Sequence, residues 1–217
     1  MRRQIIEFIE REKIIAIVRG VSADKCFKVA EALYAGGVRL MEVTFDQKDS
    51  QSFHTTADII YNLQNIYGGR MLVGAGTVTT VELVELAAKA GAKYIISPDV
   101  NANVIFKTLE LGLVSIPGAL SPSEIMAAHN AGADFIKIFP VASMGPDYIK
   151  AIRSPISHVK MLAVGGINEN NLADYMKMGI AGAGIGGNLA NKAWIDSGEY
   201  DKITETAKLL TAIAGSF

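Results

Sequence analysis

Several residue types that mark specialised proteins are scarce in this sequence. Cysteine occurs once, as Cys26, so no disulfide can close within the chain and a reducing, cytoplasmic setting is expected. Lys and Arg number 21 against 22 Asp and Glu. With no basic excess and no charged block, neither a nucleic-acid partner nor an interaction tail is expected. No apolar run approaches the roughly 18 residues of a membrane helix, so no membrane partner is expected either. The opening MRRQIIEFIEREK places acids among its apolar residues and lacks the unbroken apolar stretch of a secretory signal. No Pro- or Ser-rich linker or low-complexity segment divides the chain, so residues 1–217 read as one domain with ample apolar content for a core.

Glycine, by contrast, is abundant: 21 of 217 residues, against a typical ~7%. Gly37, Gly69, Gly91, Gly112, Gly132 and Gly179 each stand where a helical pattern ends and an apolar run begins. Glycine takes the left-handed conformation that caps a helix, after which a strand can start. The runs that follow are short, rich in Ile and Val and nearly continuous in apolar character, as parallel strands covered on both faces are. Eight are expected, near 14–18, 40–45, 71–75, 93–97, 113–117, 135–139, 160–164 and 182–186. Amphipathic stretches separate them, such as 23–35 and 80–90, and Ser121-Pro122-Ser123-Glu124 reads as a capping box with proline at the first helical position. A further helix over 2–12 precedes the first strand. Eight strand–helix units predict an α/β fold, a (β/α)8 TIM barrel with an extra N-terminal helix. A doubly wound open sheet also alternates strand and helix, but the first strand leads into VRGVSAD rather than a G-x-G-x-x-G fingerprint.

In such a barrel, chemistry collects at the C-terminal ends of the strands. Two strands carry a charge where none belongs. Lys137 stands between Phe135 and Phe139 on one face of the sixth strand. Desolvation there lowers the pKa of an ammonium, and an uncharged lysine amine attacks ketones to form a Schiff base. A snorkelling lysine or a structural ion pair is the alternative. Glu42 lies mid-strand in Met41-Glu42-Val43-Thr44-Phe45, either neutralising Lys137 or Arg19 or acting as a general acid/base with a pKa raised by burial. Arg19, Thr77, Ser97, Pro98, Pro117 and Gly118 close other strands. An arginine, a glutamate, a threonine and a lysine around one cavity suit a small anionic keto acid.

The last two strands end in AVGGIN (163–168) and GIGGNL (184–189). Paired glycines let backbone N–H groups approach a phosphate, and barrels often hold phosphate in these two loops, with a helix N-terminus adding its dipole. His54, His129 and His158 form no ligand pattern, so no metal is expected.

Six motifs occur in order: Glu42-Val43-Thr44, Gly74-Ala75-Gly76-Thr77-Val78, Ile96-Ser97-Pro98, Pro117-Gly118 with Ser121-Pro122-Ser123-Glu124, Lys137-Ile138-Phe139-Pro140 and Gly165-Gly166-Ile167. Together they closely resemble the class I aldolases for 2-keto-3-deoxy-6-phosphogluconate and 4-hydroxy-2-oxoglutarate, from about Ile14 to Ala190. The resemblance implies Lys137 as the Schiff-base lysine, Glu42 as the general acid/base and Thr77 as a ligand of the pyruvyl carboxylate. It implies Pro98 and Phe139 as walls of the pyruvyl pocket, and Gly165, Gly166, Gly186 and Gly187 as phosphate loops. It further implies a homotrimer with no cofactor beyond the covalent lysine adduct. The chain departs from the pattern at three places. Asp46 stands where many members have a carboxylate-binding arginine, leaving Arg19 to supply the positive charge. Val164 and Asn188 stand where many have hydroxyl residues in the phosphate loops, leaving backbone donors and the Asn188 amide. Two other functions fit a phosphate-binding barrel: a phosphosugar isomerase or epimerase, and a non-catalytic phosphometabolite binder. The desolvated Lys137 beside Glu42 disfavours the last, which needs no such lysine.

Overall fold

The computed structural model describes residues 1–217. Parallel strands form one sheet that curls into a barrel with helices outside. In chain order the strands are β1 (Ile14–Val18), β2 (Leu40–Thr44), β3 (Leu72–Gly76), β4 (Tyr94–Ile96), β5 (Val114–Ile116), β6 (Gly118–Ala119), β7 (Ile136–Ile138), β8 (Met161–Val164) and β9 (Gly182–Ile185). They lie side by side in the order β5-β4-β3-β2-β1-β9-β8-β7-β6. The eight expected strands are therefore all present, one of them in two pieces. Pro117 divides β5 from β6, because proline has no N–H for the ladder. The ring still closes across this break: Phe135 N–H donates to Ser115 O, Lys137 N–H to Pro117 O and Phe139 N–H to Ala119 O.

The helices are α1 (Arg2–Glu12), α2 (Ala23–Ala35), α3 (Phe53–Tyr67), α4 (Val81–Lys89), α5 (Ala102–Glu110), α6 (Pro122–Asn130), α7 (Pro146–Arg153), α8 (Leu172–Lys177), α9 (Lys192–Ser197) and α10 (Tyr200–Gly215). All six glycines that punctuate the sequence have positive φ, between 72° and 95°, the backbone region that glycine enters without steric cost. The capping box forms in full: Ser121 accepts from Glu124 N–H, and Glu124 accepts from Ser121 N–H.

The core has two layers. One lies between the sheet and the helices and includes Met41, Val43 and Phe45 of the second strand and its edge. The other fills the barrel, where Ile15, Leu40, Leu72, Tyr94, Val114, Phe135 and Leu162 meet. Ile5 and Ile9 of α1 belong to this inner layer, so α1 plugs the end of the barrel opposite the strand C-termini. Arg2 secures it by pairing with Asp134, whose carboxylate also accepts from Ser115 N–H. The opposite mouth carries the polar residues Arg19, Thr77, Lys137 and Asn188 among apolar ones and glycines.

No helix is long and apolar enough to cross a membrane. No three His, Cys, Asp or Glu side chains come together as metal ligands. His129 and His158 instead stack edge-on, their ring centroids 5.0 Å apart.

Candidate active site

Alternation along the strands decides which side chains face the barrel axis. On β7, Phe135, Lys137 and Phe139 share the inner face; on β2, Leu40 and Glu42 do. Lys137 is 6% exposed and Glu42 only 1%. The Lys137 ammonium lies 4.7 Å from the ring centroid of Phe139. Neither carboxylate oxygen of Glu42 has a hydrogen-bond partner, which is rare for a buried polar group and costly.

Glycine makes room for this carboxylate. A Cβ on Gly76 of β3 would collide with the side chain of Glu42, and one on Gly74 would collide with the ring of Tyr94. Tyr94 uses that space to donate its hydroxyl to Met41 O at 2.8 Å, one residue before Glu42. The glycines of Gly74-Ala75-Gly76 thus provide side-chain clearance inside the barrel. The sequence shows the motif but not which neighbours occupy the space.

Burial pushes the pKa of Glu42 up, while Lys137 and Arg19 pull it down. Burial pushes Lys137 down; Glu42 opposes this and Arg19 adds to it. Each group is held toward its neutral form by desolvation and toward its charged form by the other.

Above the pair a cavity of about 640 Å³ opens at the C-terminal mouth of the barrel. Arg19, Thr77, Pro98, Lys137 and Phe139 line one part of it. Gly165, Gly166, Gly186, Gly187 and Asn188 line another, with Val164 among them. Of the expected site residues only Glu42 is absent from the lining, since it lies beneath the floor. Arg19 donates to the Thr77 hydroxyl at 3.0 Å. Thr77 itself has φ 56°, an uncommon conformation for a β-branched residue and one often associated with functional sites.

Asp46 turns away from this cavity. Its carboxylate accepts from Lys48 N–H at 3.0 Å, forming a turn. It faces a separate cavity of about 250 Å³ shared with Ser22 and Thr56. Arg19 is therefore the arginine that reaches the main cavity.

Gly165 and Gly166 have φ 96° and 79°, and a Cβ on Gly166 would collide with Ala142. A Cβ on Gly187 would meet nothing, so packing does not demand glycine there. The N–H groups of Gly166, Gly187 and Asn188 donate to no protein carbonyl. Helix ends contribute less than the sequence suggests, because α8 and α9 begin only at Leu172 and Lys192. The donors here belong to the loops. Asparagines brace these loops: Asn188 donates its amide to Ile167 O at 2.8 Å, and Asn171 donates to Gly166 O at 3.0 Å. No sequence motif marks Asn171 for this bracing role; the only signal is the asparagine-rich run Asn168-Glu169-Asn170-Asn171.

The family model for KDPG and KHG aldolase matches residues 5–206. The chain belongs to this family. It is an aldolase, a carbon–carbon lyase. The chain is 34% identical to the 2-dehydro-3-deoxy-6-phosphogalactonate aldolase of Escherichia coli K12 over 81% of this chain and 83% of that one. It is 32% identical to the 2-dehydro-3-deoxy-phosphogluconate aldolase of Treponema pallidum over 97% and 98%. Among solved structures, the KDPG aldolase of Legionella pneumophila superposes with a TM-score of 0.84 at 28% identity, over 94% of this chain and 97% of that one. That enzyme holds pyruvate captured as a covalent carbinolamine.

Proposed function

We propose that this aldolase cleaves 2-keto-3-deoxy-6-phosphogluconate to pyruvate and glyceraldehyde 3-phosphate, and 4-hydroxy-2-oxoglutarate to pyruvate and glyoxylate. The observation that carries the proposal is the desolvated amine of Lys137 beside the unpartnered carboxylate of Glu42. Lys137 Nζ adds to the C2 carbonyl, and the carbonyl oxygen takes a proton to give the carbinolamine. Loss of water leaves an iminium, with Glu42 moving the protons. The C4 hydroxyl then gives up its proton and the C3–C4 electrons flow into the iminium, releasing the aldehyde and leaving an enamine. Protonation at C3 and hydrolysis free pyruvate and restore the amine.

Arg19 and Thr77 hold the substrate carboxylate in this reading, while Pro98 and Phe139 wall the pyruvyl group. The free N–H groups of the Gly165-Gly166 and Gly186-Gly187-Asn188 loops take the phosphate. The resting amine needs no separate cofactor, because the lysine adduct is itself the electron sink. Borohydride with pyruvate is expected to trap an adduct on Lys137, and Lys137→Met to lose turnover while remaining folded. An adduct on another lysine, or wild-type turnover in that variant, sinks the mechanism.

A second substrate reading rests on the galactonate relative: the C4 epimer of the phosphogluconate-derived keto acid. A retro-aldol assay with pyruvate detection, run over both epimers and the unphosphorylated acids, separates the readings by kcat/KM. We also infer a cytoplasmic homotrimer. Sedimentation is expected to give three times the chain mass, and a monomer overturns this.

A further inference from the structure

We propose that Gln47 is a positioning residue that holds Thr77 and, through it, Arg19 in the geometry that receives the substrate carboxylate. Thr77 has φ 56°, a conformation that a β-branched residue keeps only when its surroundings hold it. The side-chain amide of Gln47 grips this turn at two points. Its Nε2 donates to Thr77 O at 2.9 Å, and its Oε1 accepts from the Thr79 hydroxyl at 3.0 Å. Both ends of one amide thus bracket Val78. On the far side the same loop is anchored by Val78 N–H to Ile96 O, and by Ser97, whose hydroxyl donates to Val78 O at 2.7 Å.

Gln47 reaches the loop because of the turn before it. Phe45 N–H donates to Gly76 O and so continues the β2–β3 pairing. Asp46 then closes a turn through Lys48 N–H and Asp49 N–H, carrying Gln47 over the β3–α4 loop. The acid that stands in place of an arginine therefore has a structural task. It launches the residue that steadies Thr77, to which Arg19 donates.

This inference rests on Arg19 and Thr77 binding the carboxylate, and the experiment keeps the two apart. Steady-state retro-aldol kinetics are measured for Gln47→Leu, Thr77→Val and the double variant, with thermal unfolding of each. Gln47→Leu is expected to raise KM about three- to tenfold, the scale of one lost neutral hydrogen bond. Its kcat should stay within about twofold and its melting temperature near wild type, as for an exposed substitution. Because Gln47 acts through Thr77, adding Gln47→Leu to Thr77→Val should raise KM little further. An unchanged KM in Thr77→Val overturns the carboxylate assignment and this proposal with it. If Thr77→Val raises KM but Gln47→Leu does not, or the two effects multiply in full, the proposal alone is overturned. A lowered melting temperature with an unmoved KM also overturns it, by showing a purely structural role.

Discussion

Lys137 and Glu42 sit where water scarcely reaches, and burial favours the neutral form of each. The consequences for stability run in opposite directions with pH. Glu42, with its pKa raised above 4.5, adds stability below that value and loses the contribution as pH rises through its folded pKa. Lys137, with its pKa lowered from 10.5, adds stability above that value and loses it as pH falls through its folded pKa. At neutral pH both cost stability. Replacing both by Lys137→Met with Glu42→Leu is therefore expected to raise the midpoint of denaturant unfolding. A less stable double variant contradicts this account. Under the proposed Schiff-base role of Lys137, the same couplings would set the pH dependence of imine formation. Glu42 raises the pKa of Lys137, so Glu42→Gln should move the midpoint of the borohydride-trapping profile to lower pH. Arg19 lowers it, so Arg19→Met should move the midpoint upward. Shifts of the opposite sign rule out the electrostatic account.

Among the elements, β3 shows how a strand can serve a site by what it leaves out. Its Gly76 clears the space that the Glu42 side chain fills. Gly76→Ala must displace the carboxylate or distort the strand, and overpacking of this kind costs about 1–3 kcal/mol. Turnover should fall with stability, whereas Ser121→Ala at the α6 cap should cost about 1 kcal/mol and leave kcat alone. Equal kinetics in the two variants would show that Glu42 has no need of this clearance. In the proposed phosphate loops clearance matters after β8 alone, where a Cβ on Gly166 would collide with Ala142. Val164 adds no donor to them, so Val164→Thr is expected to lower KM for phosphorylated substrates and not for unphosphorylated ones.

For the molecule as a whole, the barrel separates stability from chemistry along its axis. α1 seals one end with Ile5 and Ile9, and the cavity opens at the other. Ile9→Ala is expected to cost about 2–5 kcal/mol as a buried large-to-small change, with kcat/KM near wild type in a folded preparation. A selective loss of activity without a loss of stability would show that α1 reaches the site.

The strands, the repeat and the two misplaced charges were legible in the sequence because they rest on local rules. Side chains alternate along a strand, glycine takes positive φ after a helix, and charge is costly in an apolar run. Lys137 and Glu42 stood out for that last reason, and Arg19, Thr77 and the glycine loops through their places at strand ends. Only the closed barrel decided which distant residues share a space. It put Gly76 under Glu42, sent Asp46 to a different cavity, split one strand at Pro117 and brought Gln47 to Thr77. These are contacts between residues far apart in the chain, and no local pattern encodes the distance between them. The sequence determined which residues could carry chemistry; the closure of the sheet determined which of them meet.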